Sequence, residues 1–359
     1  MTTISVSIVN VTSYSGVELL RLLSQHPQFS VTSATARSAV GKRLSEVFPH
    51  LDLRENTKVT SELVITDGPE QTDLAFVCLP HAAAAESVLT LLERGTKVVD
   101  LSADFRLRDA AIYEEWYKHT HPAPALLQTA VYGLCERYRE RIAETNLVAN
   151  PGCYATAAIL GLMPAFAMGI IDPDVIIDAK SGVSGAGRSL TLSTHYAEAN
   201  EDVSAYSLSG HRHLPEITQE LEAAARAGGN SARGPLRITF IPHLMPMTRG
   251  ILATCYADLN HHTMANSIPT TAEMRSAYEH FYANEPFVRV VDQPPHTKWT
   301  YGSNQCLIYP MVDTRTRRLL VISCLDNLVK GAAGQAIQNA NRLYGLPEIT
   351  GLPTTALYP

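Results

Sequence analysis

The sequence predicts an α/β chain in two parts. A parallel sheet covered by helices on both faces spans residues 1–152, a mixed or antiparallel α+β part spans 153–326, and 327–359 holds a last helix. Three observations carry this. The chain opens with strand, tight loop and helix, as a dinucleotide-binding sheet does. Up to about residue 150, apolar runs without alternation are separated by helix-forming stretches, the pattern of strands buried on both faces. Past residue 170 the strands lengthen and become β-branched.

In order along the chain, Ile4, Val6, Ile8 and Val9 form the first strand, Asn10 to Gly16 a polar loop, and Val17, Leu19, Leu20, Leu22 and Leu23 the apolar side of a helix. Such a loop normally carries three glycines, and this one has Gly16 alone. FSVTSATA (29–36) is the second strand. NAD-binding sheets tend to place an acid near its end, about 20 residues past the glycine loop, for the ribose 2′-hydroxyl. ATARSAVGKR (34–43) contains none, and Arg37, Ser38, Lys42 and Arg43 suit a 2′-phosphate, so NADP is the expected dinucleotide. DLAFVCLP (73–80) is a buried strand ending at Pro80, a helix follows over 82–95, and TKVVDLS (96–102) and NLVAN (146–150) complete the sheet. Beyond it come DVIIDAKSG (174–182), LRITFIPH (236–243), GILATCYADL (250–259) and FVRVVDQ (287–293). QCLIYPMVD (305–313) and RRLLVISCLD (317–326) face each other across a turn and read as antiparallel. One helix is expected over 327–346, ending at Gly345.

Bulk properties exclude several functions. A chain of 359 residues with 45% hydrophobic and 18% charged residues is globular and too long for one core. Its net charge of −6 and lack of a basic run argue against nucleic-acid and anionic-membrane surfaces. The apolar stretch 158–171 is interrupted by Pro164 and falls short of the ~20 residues of a span, so a buried helix is expected there. The first basic residue is Arg21, so neither a positively charged n-region nor an Arg-rich transit peptide is expected. Six scattered cysteines, none in CxxC spacing, suggest neither a zinc site nor a redox pair, and a reduced cytoplasmic setting is expected.

Four stretches bear chemistry. In NPGCYATAAILGLMPAF (150–166), Cys153 follows a Pro-Gly turn and opens an apolar helix. Unpaired N–H groups and the helix dipole there favour a thiolate and can hold an oxyanion; the alternative is a buried core cysteine. In SGHRHLPEITQEL (209–221), His211 and His213 flank Arg212. They read as an acid–base imidazole for the thiol, as loop histidines, or as metal ligands; no third ligand has recognisable spacing, so no metal is expected. AKSGVSGAGRSLT (179–191) has the glycines, serines and two cations of an anion-binding loop, or of a plain turn. In DLSADFRLRD (100–109), Arg106 is either an anion clamp or a structural arginine.

NPGCYATA, AKSGVSGAGR, SGHRHLPEI, FIPHLMPMTRGIL, YGSNQCLIYP and DNLVKGAAGQAIQNANRLYGL occur in this order. The chain thereby resembles the N-acetyl-γ-glutamyl-phosphate reductase family over essentially its whole length. The resemblance implies a Rossmann-type domain joined to a substrate domain of the glyceraldehyde-phosphate/aspartate-semialdehyde dehydrogenase type, with the last helix returning to the first domain. It implies NADPH-dependent reduction of an acyl phosphate to an aldehyde, with release of phosphate, in arginine biosynthesis. It places the nucleophile at Cys153, the histidine motif at His211 and His213, and the nucleotide-side loop at Leu79, Pro80 and His81. Asn10, Thr12, Ser13, Tyr14, Ser15, Gly16, Arg37, Ser38, Ser181, Gly182 and Asn327 join that loop as the expected cofactor residues. Arg106, Asn150, Lys180, Ser184, Arg188 and Arg249 are expected around substrate and phosphate. The family loop reads G-x-x-G-Y-x-G, and this chain departs at Asn10 and Ser13. Asn10 tolerates the left-handed turn, whereas Ser13 adds a side chain where backbone should meet pyrophosphate. The loop 181–188 and the Leu79–His81 loop are the expected moving parts. The expected partners are a small acyl phosphate, phosphate and further copies of the chain (dimer or tetramer). Aminoadipyl or aspartyl phosphate as substrate, and a paralogue without cofactor, are the alternatives.

Overall fold

The computed structural model describes residues 3–51, 61–230, 234–260 and 267–358. The chain divides into two compact units. The first runs to Gly152 and regains Ala332–Pro353; the second is Cys153–Gly331 with the last residues from Thr354.

In the first unit, β1 (Ile4–Val9), β2 (Phe29–Thr35), β3 (Leu74–Val77), β4 (Lys97–Asp100), β5 (Val131–Tyr132) and β6 (Leu147–Ala149) form a parallel sheet in the order β2-β1-β3-β4-β6-β5. All four residues of β3 are buried, as its unbroken apolar run requires. Strand order reverses between β1 and β3, and ligands of open α/β sheets bind beyond the carboxyl ends of strands at such a point. The helix Gly334–Leu343 belongs to this unit although its sequence is rich in amides. Those amides are buried and bonded. Gln335 and Asn339 both donate to the Gly133 carbonyl, at 2.9 and 2.8 Å, and Asn339 also accepts the Cys135 thiol proton at 3.0 Å. Gly133 admits this contact because a Cβ there would stand 2.4 Å from Asn339 Nδ2.

The second unit is a mixed sheet in the order β11-β12-β13-β10-β7-β9-β8. Its strands are β7 (Ile171–Gly182), β8 (Ser204–Ala205), β9 (Arg237–Met245), β10 (Ile251–Leu259), β11 (Val288–Val290), β12 (Cys306–Asp313) and β13 (Arg318–Leu325). β7 with β9 and β11 with β12 are parallel; β12 and β13 form the expected antiparallel pair. The helix Cys153–Met168 is apolar all round and buried from Tyr154 to Phe166. Pro164 lies inside it and does not end it. Proline cannot donate to the Leu160 carbonyl four residues back. The Tyr282 hydroxyl takes that place at 2.5 Å, and Tyr278 donates to the Gly161 carbonyl at 3.1 Å.

The single helix expected over 327–346 is divided. Val329–Ala333 is a π-helical turn, and the α-helix begins at Gly334. The buried Asp326 carboxylate accepts the Leu328 and Val329 N–H groups at 2.8 and 3.2 Å, and its carbonyl accepts that of Gly331 at 2.9 Å. These bonds hold Asn327–Gly331 in the second unit, later than the boundary read at residue 327.

Removing the Tyr282 hydroxyl leaves the Leu160 carbonyl buried and unbonded. Tyr282→Phe is expected to lower stability by about 1–3 kcal/mol in urea melts. Pro164→Ala restores the missing N–H, so the same Tyr282 change should be clearly smaller on that background. An equal loss on both backgrounds would contradict this account of the helix.

Candidate active site

In the first unit, Asn10 follows β1 with φ of 65°, and its side-chain amide donates to the Cys78 carbonyl at 2.8 Å, joining the ends of β1 and β3. Ser13 caps the helix Tyr14–Leu23: its hydroxyl accepts the Gly16 N–H and donates to the Asn10 carbonyl, both at 3.0 Å. The Ser13 oxygen is thus turned into the loop. A Cβ on Gly16 would stand 2.7 Å from the Val11 carbonyl oxygen, so this glycine sits where helix meets strand. Thr12 and Ser38 bring hydroxyls within 3.5 Å of each other, and Tyr14, Arg37 and Ser38 are exposed. Arg43 instead pairs with Glu62 at 2.6 Å on the surface. Beneath the loop, burial pushes the Cys78 thiol up to about 12, against hydrogen bonds from Ser15 and Ser13.

The Leu79–His81 loop is held from the 100–106 segment. Asp104 accepts the Ala82, Ala84 and Ala85 N–H groups at 2.7, 3.0 and 3.1 Å, and His81 Nδ1 accepts that of Ala103 at 3.2 Å. Arg106 is buried, with Nε donating to the Asn150 carbonyl at 2.8 Å and Nη2 to the Leu101 carbonyl at 2.9 Å. Asn150, expected beside substrate, is buried with both ends of its amide committed. Nδ2 donates to the Ala332 carbonyl at 3.2 Å, and Oδ1 accepts from Asn339 at 3.0 Å. Its place is structural. Asp104, missed in the sequence reading, is the capping acid of this region.

In the second unit, Cys153 is the one cysteine of six that is partly exposed. It opens the helix Cys153–Met168, at the positive end of the helix dipole. A Cβ on Gly331 would meet the Cys153 Cβ at 2.8 Å, so the turn made by Asp326 lies directly against Cys153. Next to it, Tyr154 donates to the His243 carbonyl at 3.1 Å and accepts from the Tyr206 hydroxyl at 3.3 Å. The Tyr154, Tyr206, Phe240 and His213 rings surround His211 at centroid distances of 5.7, 5.7, 5.4 and 4.7 Å. Burial, and then the Arg212 charge, lowers His211 to about 4. Burial and the nearby Cys153 raise Tyr206 to about 12. Neither tyrosine was singled out from sequence; Tyr154 could have been, as the residue after the expected nucleophile Cys153.

The remaining expected residues separate. Asn327 is buried, accepting the Gly250 N–H at 2.8 Å and donating to Ser184 Oγ at 3.0 Å. Gly182 meets the Thr248–Arg249 backbone, where a Cβ would come within 2.7 Å, and Ser181 bonds the Gly182 carbonyl at 3.0 Å. Arg249 is near this cluster, 3.8 Å from the Asp326 carboxylate and 5.8 Å from the Tyr301 ring centroid. Arg188 is in the exposed loop that follows. Lys180 does not join them. Ile177, Ala179 and Ser181 are the buried side of β7, and alternation turns Lys180 to the other face. There it pairs with Asp178 at 2.6 Å, and Asp178 also faces His243 at 3.1 Å. Among the described residues no group of three or more metal-ligating side chains occurs.

Burial holds Asp100 up to about 7, with neighbouring Asp104 adding to the rise and the Ser102 bonds and Arg106 opposing it. Unfolded, this carboxyl ionises near its ordinary value of about 4. Between these values the folded chain keeps a proton that the unfolded chain has lost, so the group's contribution falls as pH rises toward and through 7. Asp100→Asn should therefore be more stable than the parent at pH 8, by about 1–3 kcal/mol, and nearly equal to it at pH 4. Denaturant titrations at both pH values check this; a larger gap at pH 4 would contradict it.

Two family models match the chain: "Semialdehyde dehydrogenase, NAD binding domain" over residues 5–145, and "Semialdehyde dehydrogenase, dimerisation domain" over 153–327. The N-acetyl-gamma-glutamyl-phosphate reductase of Dehalococcoides mccartyi is 52% identical over 353 residues, 98% of each chain. Among solved structures, the fold is similar to aspartate semialdehyde dehydrogenase II complexed with ASA from Vibrio cholerae, with TM-score 0.68 and 16% identity over 96% of this chain and 99% of that one. It is also similar to aspartate semialdehyde dehydrogenase with NADP from Candida albicans, with TM-score 0.67 and 14% identity over 95% and 99%.

Proposed function

The chain belongs to the N-acetyl-γ-glutamyl-phosphate reductase family, and from that premise we propose how its residues reduce N-acetyl-γ-glutamyl phosphate to N-acetylglutamate 5-semialdehyde, releasing phosphate. The observation that carries the proposal is Cys153: the one partly exposed cysteine, at the first turn of a buried helix and braced by Gly331.

The residues of the first unit fit a dinucleotide. The Ser13 oxygen is turned inward, the helix Tyr14–Leu23 presents its first N–H groups, and Gly16 allows the close approach of loop and helix. We assign the pyrophosphate to the 10–16 loop, the 2′-phosphate of NADP to Arg37 and Ser38, and further contacts to Leu79–His81. When bound, reduced NADP supplies a hydride to the acyl carbon held on Cys153.

The chain's own residues do the rest. The Cys153 thiolate, stabilised at the helix N-terminus, attacks the γ-acyl carbon and phosphate departs, leaving a thioester. Arg249, oriented by Asp326 and Tyr301, and Arg188 are the cations assigned to phosphate and substrate. In the first unit Arg106, fixed by two carbonyls, is the assigned anion clamp, held in one orientation. The same helix N-terminus and an imidazole stabilise negative charge on the former carbonyl oxygen. Its collapse expels the thiolate and frees the aldehyde.

The open face of the second sheet, where Ile176 is 40% exposed and Leu252, Tyr256, Leu320 and Ile322 are half-buried, is the assigned contact between copies, in a dimer or tetramer. No helix among the described residues is long and apolar enough to cross a membrane. A cytoplasmic setting belongs to the same proposal.

The reaction run backwards tests it. N-acetylglutamate semialdehyde should reduce NADP only when phosphate is present, and Cys153→Ala should lower the rate by 10³-fold or more. A parent that turns over aminoadipate or aspartate semialdehyde instead would move the substrate assignment; turnover without Cys153 would end it.

A further inference from the structure

A cavity of about 550 Å³ opens on the first unit where β4, β5 and β6 begin. The residues assigned above in this unit follow the other ends of the strands: 10–16 after β1, Arg37 and Ser38 after β2, Leu79–His81 after β3, and Arg106 after β4. None of them lines the cavity. Its floor is aliphatic, made by Leu92, Leu126, Val131 and Leu147, and its two charged groups are Arg141 and Glu144. These stand three residues apart in the last turn of the helix Cys135–Glu144, so they share a face. Both are exposed, and among the described residues neither has an ion-pair partner. The Arg141 end is cationic: Arg108, Arg137 and Arg141 lie 5.9, 5.2 and 5.6 Å from the Tyr138 ring centroid. At the Glu144 end the helix stops against an extended Thr145, and the negative end of its dipole adds to the carboxylate.

An aliphatic floor with one unpaired charge of each sign at its rim selects a ligand of matching chemistry. We propose that this cavity binds a free aliphatic α-amino acid as its zwitterion, with the carboxylate on Arg141, the ammonium on Glu144 and the side chain on the floor. A simple anion would meet the Glu144 carboxylate, and a simple amine would meet the arginines. An uncharged apolar molecule would cover both charges and pair neither. The zwitterion answers both, and a cavity of this size is in the range that holds small molecules. The ligand would join the end of one helix to the starts of three strands, so its binding stabilises the first unit. This site stands apart from the reductase reading and does not depend on it.

A ligand-observed NMR titration of the full-length protein with L-leucine tests it. One saturable site per chain is expected, with Kd of about 0.1–1 mM. Two truncated probes separate the ends: 4-methylpentanoate lacks the ammonium, and 3-methylbutylamine lacks the carboxylate. Each should bind about tenfold more weakly than leucine, and Arg141→Gln and Glu144→Gln should each weaken leucine by a similar factor. Glu144→Gln should not weaken 4-methylpentanoate, and Arg141→Gln should not weaken 3-methylbutylamine, because each probe lacks the group that the lost side chain would hold. Both side chains are exposed and lie outside the assigned site, so both variants should keep the parent's melting temperature and its turnover without leucine. The proposal is overturned by the absence of saturable binding up to about 20 mM leucine, by a leucine affinity unchanged in either variant, or by a truncated probe weakened through the side chain it does not meet. Failure of the reductase reading would appear in turnover and leave these titrations as they are.

Discussion

The second unit depends on one constraint: a thiol must stand at the first turn of a buried helix, with backbone packed against it. The Asp326 carboxylate provides the packing. By taking the Leu328 and Val329 N–H groups it bends the chain into a π-helical turn, and Gly331 reaches Cys153 from that turn. The same carboxylate accepts the Gly302 N–H at 2.7 Å and lies 3.8 Å from Arg249. One buried carboxyl group therefore ties together the wall beside Cys153, a neighbouring loop and a cation assigned to substrate. A π-turn at such a place is a common mark of function. Here it has an identifiable cause in a carboxylate surrounded by N–H donors.

Much of this was legible in the sequence, because the physics was local. Buried parallel strands are unbroken apolar runs, so β3 and β4 stand out. The thiol at a helix start is written in Pro151-Gly152-Cys153. What was not legible depends on partners far along the chain. Asn150 reads as a polar residue beside the nucleophile, yet its amide is taken up by Asn339 and Ala332. Lys180 reads as a loop cation, yet strand alternation commits it to the opposite face with Asp178. Pro164 reads as an interruption, yet Tyr282 replaces the lost donor. The aromatic enclosure of His211 draws on Tyr154, Tyr206 and Phe240, and no spacing rule links those positions.

The glycine-poor opening loop has a simple resolution. Asn10 adopts the left-handed turn and strengthens it with a bond to the end of β3. Ser13 adds a side chain but turns it into the loop as a helix cap. Both departures exchange backbone freedom for side-chain hydrogen bonds, and the Ser13 oxygen takes up one N–H of the helix N-terminus, that of Gly16. Gly16 has no such exchange open to it, because a Cβ would strike the Val11 backbone.

The central claim is that Cys153 carries the acyl group. The most direct measurement mixes the protein with N-acetyl-γ-glutamyl phosphate in the absence of reduced dinucleotide and reads the intact mass and the peptide map. The account predicts one acyl adduct per chain, on the peptide containing Cys153, removed by hydroxylamine and absent in Cys153→Ala. Phosphate released with no adduct, or an adduct on another residue, would contradict it.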